Sequence, residues 1–390
     1  MKPKILIRAY VVGFGDCLLL SLPDGTGKRH ILVDFGRAPN DAGSLQRFPE
    51  IARDIEQQCN GRLDLLVVTH EHLDHMEGFY REREIFNRMH VEQVWMGLPS
   101  DPDYYKNYPK ARLQKRLQNA LGAFALQVRA RGLALHPGFA SLLANNLSNK
   151  DRIDYLRKLG KRKPQYLARD SGTPSLPEWG AGIRITVLAP EQDTSRYYGR
   201  SAQSLALRAA LSHFSARHDK RREEGLDWEF PDIPRARDEH LPGISASDFG
   251  RLRRSIQEGE VTAARFIDRA ANNTSLALLI ESGGKKLLLP GDAELESWEK
   301  IEQHFGASLG PVDFLKASHH GSHNGTPDGY LETLLPKARA SKATVLVSTK
   351  CNVYGTKNPV PDAHLLEEFG RRAKVLSTDG AQALYIDIEI

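Results

Sequence analysis

The chain has 390 residues, 40% hydrophobic and 26% charged, which is ample for a sizeable core. Its net charge of +5 is mild and by itself selects no partner. No apolar run approaches a membrane span, and the start, Met1 to Ile7, is too short for a signal peptide. Three scattered cysteines (Cys17, Cys59, Cys351) argue against a disulfide framework. They predict a reducing, cytoplasmic setting with three small buried thiols.

Lys4 to Tyr10 reads as a strand. Two glycines and an aspartate in Val12-Gly13-Phe14-Gly15-Asp16-Cys17 suggest a tight hairpin or bulge. A dinucleotide fingerprint is excluded there, because the third glycine and the following helix are missing. Pro23 to Gly27 is a turn, and His30 to Gly36 is a strand ending in Asp-x-Gly. Asp34 at its end either orients a ligand histidine or caps the turn. Leu45 to Gln58 has helical composition and spacing.

Leu65 to Val68 is a branched apolar run and reads as a buried strand. It runs into Thr69-His70-Glu71-His72-Leu73-Asp74-His75. Imidazole and carboxylate suit Zn, Mn or Fe, and a strand end can aim several side chains at one point. His70 and His72, two apart in extended backbone, project to the same side. Asp74 and His75 follow on the turn and can face a second ion. The alternative, a solvated His-rich loop, fits poorly with a motif that caps a buried strand. Glu77 to Met89 then reads as a helix and Val91 to Met96 as a short strand.

Two stretches interrupt this strand-and-helix pattern. Within the first, residues 101–180, Tyr105 to Asp170 holds fifteen Lys or Arg against three Asp. Tyrosines and phenylalanines are scattered through it, and Arg157 to Lys163 is its densest part. Such a block is a phosphate-binding surface or a wet helical lid. The second, residues 191–271, mixes both signs, is partly loop, and carries His213, His218 and His240 without ligand spacing. Between and after them lie strands at Gly182 to Pro190, Ser275 to Glu281 and Lys286 to Asp292. Asp292 either caps the following helix or bridges metals. Val312 to His323 is another short strand ending in histidines, His319, His320 and His323. A strand at Thr344 to Ser348, a helix from Asp362 to Arg371 and strands near Val375 and Ala383 to Ile388 complete the pattern.

Thr69-His70-Glu71-His72-Leu73-Asp74-His75 resembles the HxHxDH motif of the metallo-β-lactamase superfamily. Val12 to Asp16, Ile31 to Gly36, Val187 to Pro190, Asn272 to Leu276, Leu289 to Asp292, Lys316 to Ser322 and Asn352-x-Tyr354-Gly355 resemble, in order, its ComEC-like hydrolase branch. The resemblance frames roughly Met1 to Met96 and Gly182 to Ile390. It implies an α+β fold, the αββα sandwich of two mixed β-sheets flanked by helices. Residues 1–390 then form one domain with insertions at 101–180 and 191–271. It also implies that His70 and His72 hold one divalent ion, Zn or Mn. Asp74, His75 and a histidine of the His319-His320 pair, preferably His320, hold another, and Asp292 bridges.

Three departures stand out. The superfamily's further histidine before the bridging aspartate is replaced by Asn272-Asn273-Thr274-Ser275, where Asn273 can lend an amide oxygen. Glu77 stands where glycine is common, and His323 is extra. The ComEC membrane channel has no counterpart.

The expected activity is a metal-dependent phosphodiesterase, a nuclease acting on DNA. Asp74 orients the nucleophilic water, and His319 or His323 assists the leaving oxygen. Lys158, Lys161, Arg162 and Lys163 track the polyanion while tyrosines stack on bases. The alternatives are a small-molecule hydrolase of the same fold (lactam, thioester or cyclic nucleotide) and a partner-dependent effector, for instance in bacterial defence.

Overall fold

The computed structural model describes residues 4–25, 27–39, 41–112, 149–171, 179–180, 182–198, 268–353 and 359–390. Its strands are β1 (Leu6–Tyr10), β2 (Leu18–Asp24), β3 (Gly27–Val33), β4 (Arg62–Leu63), β5 (Leu65–Val68), β6 (His90–Val91), β7 (Val94–Gly97) and β8 (Gln165–Leu167). They continue with β9 (Ile183–Ala189), β10 (Ala277–Ser282), β11 (Lys285–Leu289), β12 (Phe314–Lys316), β13 (Thr344–Val347), β14 (Lys374–Ser377) and β15 (Tyr385–Glu389). The helices are α1 (Phe48–Gln58), α2 (Leu73–Arg81), α3 (Arg83–Arg88), α4 (Tyr104–Asn107), α5 (Lys150–Leu159), α6 (Leu295–Phe305), α7 (Leu331–Leu334) and α8 (Ala363–Gly370).

Two mixed sheets dominate. The first has the order β15-β1-β2-β3-β5-β7-β8 and the second β14-β13-β12-β11-β10-β9. Side chains alternate across each strand, so each sheet feeds two cores. From the first sheet, Leu18, Leu20, Ile31, Val33, Leu65 and Val67 meet Ile185, Leu278, Ile280, Leu287 and Phe314 of the second. Their alternates, Leu19, Leu32, Leu66 and Val68, pack on Phe48, Ile51 and Ile55 of α1, Met76 and Phe79 of α2 and Leu156 of α5. On the far side, Leu279, Leu288, Leu315 and Val345 pack on Trp298 and Ile301 of α6 and on Leu365 and Phe369 of α8. Three apolar layers separate four layers of structure, which is the αββα sandwich.

Several boundaries differ from the sequence reading. The helix expected from Glu77 begins at Leu73, so Asp74 and His75 lie in its first turn, and it breaks at Glu82 into α2 and α3. The run from Val91 to Met96 is two strands. One of them, β6, pairs with β4 in a separate ribbon. The first interruption is not wholly external, because β8 extends the first sheet in parallel with β7. Cys17 and Cys59 are buried, but Cys351 is exposed. Phe124, Phe139, Tyr354, Gly355 and the three histidines of the second interruption lie outside the described residues. No described helix is long and apolar enough to cross a membrane.

Candidate metal centre

The two sheets meet at one edge, where the ends of β3, β5, β11 and β12 converge. The tie is direct: Leu276 N, just before β10, donates to Thr69 O at 2.8 Å. Beyond Thr69 the backbone is extended at His72 and then enters α2. This swing from strand to helix turns Asp74 and His75 toward the facing sheet. Gly36 makes it possible, since a Cβ there would lie 2.3 Å from Leu73 O and 2.4 Å from His75 N.

Asp74, His75, Asp292 and His320 are all buried, and one ligand atom from each lies within 4.8 Å of the others. His75 Nε2 is 3.1 Å and His320 Nε2 is 3.2 Å from Asp292 Oδ2. His320 Nε2 is 3.5 Å from Asp74 Oδ2. The outer nitrogens are committed elsewhere: His75 Nδ1 lies 2.8 Å from Asp34 Oδ2, and His320 Nδ1 lies 2.9 Å from Ser348 O. Both partners are pure acceptors, so each Nδ1 carries a proton and each Nε2 is the nitrogen turned inward. Among the described residues, His75 Nε2, His320 Nε2 and Asp74 Oδ1 have no hydrogen-bond partner. Buried polar atoms left unpaired are costly, and a divalent cation would bind the oxygen and, once they are deprotonated, both nitrogens. The N/O set fits Zn or Mn.

The charges agree. Burial pulls the His320 imidazole down, but Asp292 and Asp16 outweigh it and raise it to about 10. His75 is likewise driven up, against burial, by Asp292, Asp34 and Asp74. Burial opposes ionisation of Asp74 and Asp292, yet the histidines hold both carboxyls below the usual carboxylate range. Two protons thus sit where a metal's charge belongs.

Asp34 stands behind His75. It accepts from Thr69 N and Thr69 Oγ1, both at 2.8 Å, as well as facing His75. It holds φ 57°, a costly left-handed conformation for a non-glycine residue. His319 and His320 share this feature, at φ 47° and 55°. The two successive left-handed residues point the histidine pair in different directions.

His320 therefore enters the cluster, and His319 lies beside it, with Nδ1 3.2 Å from Asn324 Oδ1 and Nε2 3.3 Å from Asn272 Nδ2. Burial pushes the His319 imidazole down to about 4, which favours its neutral form in the metal-free protein. His323 is exposed and outside the cluster. His70 Nε2 and His72 Nδ1 lie 3.0 Å apart, close enough to share one ion. Asn273 does not offer the expected oxygen: its Oδ1 accepts from Ser297 N at 3.0 Å and its amide donates to Arg269 O. It caps α6, a role left to neither Asp292 nor Glu294.

The basic residues fare differently. Lys161 N bonds Val91 O, and Gln93 bonds Lys163 O, so Lys161 to Lys163 lie at the start of β7. That is the opposite end of the first sheet from His70, roughly 15 Å away at strand rise. Arg162 is held by Glu92 at 2.7 Å. Lys158 sits near the same end of α5, which runs down from Asn149, whose amide donates to Glu71 O beside the site. Glu77 ties α5 to α2 by bonding both Arg81 and Arg152. Tyr104 is buried and bonded to Thr194 Oγ1 at 2.8 Å, so it is a core residue.

Sequence reasoning missed three residues. Asp16 lies 3.7 Å from His75 Nδ1, and Lys316 Nζ lies 3.2 Å from Asp292 Oδ1. Glu294, buried and bonded to Asn272, has its carboxyl raised by burial to about 8. Their signal was proximity in sequence to strand ends already singled out.

No protein-family profile matches the chain. It is 39% identical over 70 residues to "Recombination protein 2" of Haemophilus influenzae, a match covering 18% of this chain and 8% of the relative. It is 38% identical over 66 residues to "ComE operon protein 3" of Bacillus subtilis, covering 17% and 8%. The chain thus matches only 8% of the length of either relative. The crystal structure of the metallo-beta-lactamase fold protein YhfI from Bacillus subtilis aligns over 100% of both chains with 10% identity and a TM-score of 0.36. By its own layer order this chain is an αββα sandwich, with a buried Asp/His cluster where its strand ends meet.

Proposed function

We propose that the chain is a metal-dependent hydrolase that cleaves phosphodiester bonds in nucleic acid, DNA foremost. The observation that carries the hydrolase reading is the buried quartet Asp74, His75, Asp292 and His320, with its inward-facing orphan atoms. Support for DNA comes from the short matches to the recombination and ComE operon proteins.

A bound divalent ion there supplies water acidified toward neutral pH and charge neutralisation at phosphate oxygens. The chain's own residues do the rest. His75 and His320 are oriented by Asp34 and Ser348, so their geometry is set before substrate arrives. Asp74 is held ionised and orients the attacking water. Phe14, with its ring 4.4 Å from that of His320, walls one side and excludes bulk water. Polyanion contacts fall to cations at the correct edge: Lys106 and Lys110 after β7, and Lys150 beside Asn149, all exposed. They replace Lys158 to Lys163, whose position at the far edge favours the second reading, a small substrate.

The test is cleavage of single- and double-stranded DNA with Mn, Mg, Zn or chelator, beside Asp74→Ala. Metal-dependent cutting that vanishes in the variant is expected. Cutting that survives in the highly purified variant rejects the proposal. Substrate affinity that barely changes with salt points to a small substrate instead, since each phosphate contact adds to the salt slope.

A further inference from the structure

Glu77, the carboxylate standing where glycine is common, is 4% exposed and holds two guanidiniums at once. Its Oε1 accepts from Arg81 Nε at 2.6 Å, and its Oε2 accepts from Arg152 Nε. Both guanidiniums line an open cleft of about 390 Å³ beside α2 and α5, within the roughly 300–1,000 Å³ range of ligand sites. Tyr80, Glu82 and Arg83 line it with them. α2 breaks at Glu82, whose φ of −96° and ψ of 28° are not helical, so Arg81 and Arg83 flank a kink.

The lining joins cations to an aromatic ring. The guanidinium carbons of Arg83 and Arg152 lie 5.0 and 5.4 Å from the centre of the Tyr80 ring, and Tyr155 meets that ring edge-on at 5.9 Å. Single-stranded nucleic acid is held by this combination: aromatic rings and guanidinium planes stack on bases, and N–H groups bond phosphates. Arg81 spends Nε on Glu77 and Arg83 spends Nη1 on Tyr80 O, and both residues are exposed, so donors remain accessible on each. Three guanidiniums against the carboxylates of Glu77 and Glu82 leave the lining one charge positive. A fourth guanidinium, that of the buried Arg37, feels the charges of both Arg81 and Glu77. Among the described residues its Nε has no hydrogen-bond partner.

The cleft lies on the same two helices that reach the metal centre. Asp74, in the first turn of α2, and Tyr80 are separated by roughly 9 Å at 1.5 Å per residue. On α5, the exposed Lys150 starts the helix beside the site and Arg152 follows it into the cleft. At about 3.4 Å or more per nucleotide, a strand leaving the centre along these helices reaches Tyr80 within about three nucleotides.

We propose that this cleft is a subsite for the substrate strand. It takes an unpaired nucleotide a few positions from the bond that is cut, with the base on Tyr80 and the neighbouring phosphates on Arg81 and Arg83. Glu77 fixes Arg81 in place for that contact. The assignment rests on the reading of the chain as a nucleic-acid phosphodiesterase.

The experiment is fluorescence anisotropy of the full chain with a labelled single strand of about 12 nucleotides and with its duplex, at several salt concentrations. Chelator is present so that nothing is cut. Tyr80→Leu is expected to weaken single-strand binding about tenfold and duplex binding less than about twofold, since a paired base stays in its stack. Tyr80→Phe is expected to bind as wild type does, because the ring does the stacking. Arg81→Gln with Arg83→Gln is expected to weaken single-strand binding about tenfold and to lower its salt slope by about 1.4, the share of two phosphate contacts. In the unsubstituted chain, a strand carrying 4-thiothymidine is expected to photocrosslink within residues 80–83, a readout that depends on no variant folding. Wild-type affinity and salt slope in both Tyr80→Leu and the double variant overturn the proposal, and so does crosslinking confined to other segments. Thymidine 5′-monophosphate that binds through Tyr80 without competing with the strand also overturns it, assigning the cleft to a free nucleotide. Weakened binding in these variants of a chain that cuts no DNA supports the cleft and rejects the nuclease reading. DNA cutting with unaltered binding in the variants rejects the cleft alone.

Discussion

Asp34 is one carboxylate with three partners, and it decides how His75 presents its lone pair. Asp34→Asn keeps the shape but loses the strong acceptor. Metal affinity by calorimetry is expected to fall roughly tenfold to a hundredfold, with little change in melting temperature of the metal-free protein. Asp41 does a comparable job for the Gly13–Gly15 loop. Its carboxylate is bonded by Phe14 N, Ser44 Oγ and Lys350 Nζ. Burial works against ionisation there, but these bonds prevail and hold the carboxyl below its usual value. A depressed folded value means the stabilisation is complete above the unfolded value of ~3.9 and is lost as pH falls through the folded one. Asp41→Asn is therefore expected to cost about 1.5 to 3 kcal/mol in denaturant melts at neutral pH. The gap from wild type should close below about pH 4. A gap unchanged at low pH assigns the loss to packing. Arg169 is the opposite case: among the described residues its buried Nε and Nη1 have no hydrogen-bond partner, and Asp170 Oδ1 lies 3.9 Å from Nε. Arg169→Met is expected to raise the melting temperature, because an unsatisfied guanidinium is removed. A lower one shows a contact that matters more.

At the scale of elements, the ends of strands carry the chemistry, and that much was legible. A branched apolar run ending in His or Asp announces both a buried strand and a ligand, as at Val68, Leu289 and Lys316. Backbone handedness was not legible. Nothing in His319-His320 says that two left-handed residues will send one ring into the cluster and the other out. Asn273 was misread for a related reason, since an amide before a strand looks the same whether it meets a metal or caps a helix that starts 22 residues later. The basic run was found, but charge density does not reveal which end of a strand it will sit beside. Here β8 and the start of β7 fix it at the far edge. The prediction that follows separates two surfaces. Lys161→Glu with Lys163→Glu should leave the affinity for a fluorescent DNA oligonucleotide within about threefold. Lys106→Glu with Lys150→Glu should weaken it by tenfold or more and flatten its salt dependence. The reverse ranking moves the substrate path to the other edge.

In the whole molecule, two sheets are joined through a polar edge as well as an apolar interior. The quartet draws Asp74 and His75 from the first half of the chain and Asp292 and His320 from the second. An ion bound there clamps both sheets. At a free metal concentration a hundred times its dissociation constant, binding adds about 2.7 kcal/mol to stability. Thermal melts with and without chelator are expected to differ by a few degrees in favour of the metal-bound form. Because His75 and His320 are charged in the empty site, uptake should also release protons, and affinity should drop as pH is lowered. Calorimetry in buffers of different ionisation enthalpy reads that number directly.

The first sheet ends on β15, paired with β1 from Leu6↔Glu389 to Tyr10↔Tyr385, and Ile390 N reaches Ile5 O at 3.0 Å. During synthesis these partners emerge far apart in time. At about 5 to 20 residues per second, β1 waits roughly 20 to 75 seconds for the strand that covers it. Throughout that interval one side of Leu6–Tyr10 is an open row of backbone donors and acceptors, the kind of edge other chains add to. Pairing with β15 is thus what closes β1 against aggregation. A ribosome that stalls before residue 385 holds a sheet that is folded on one side and adhesive on the other.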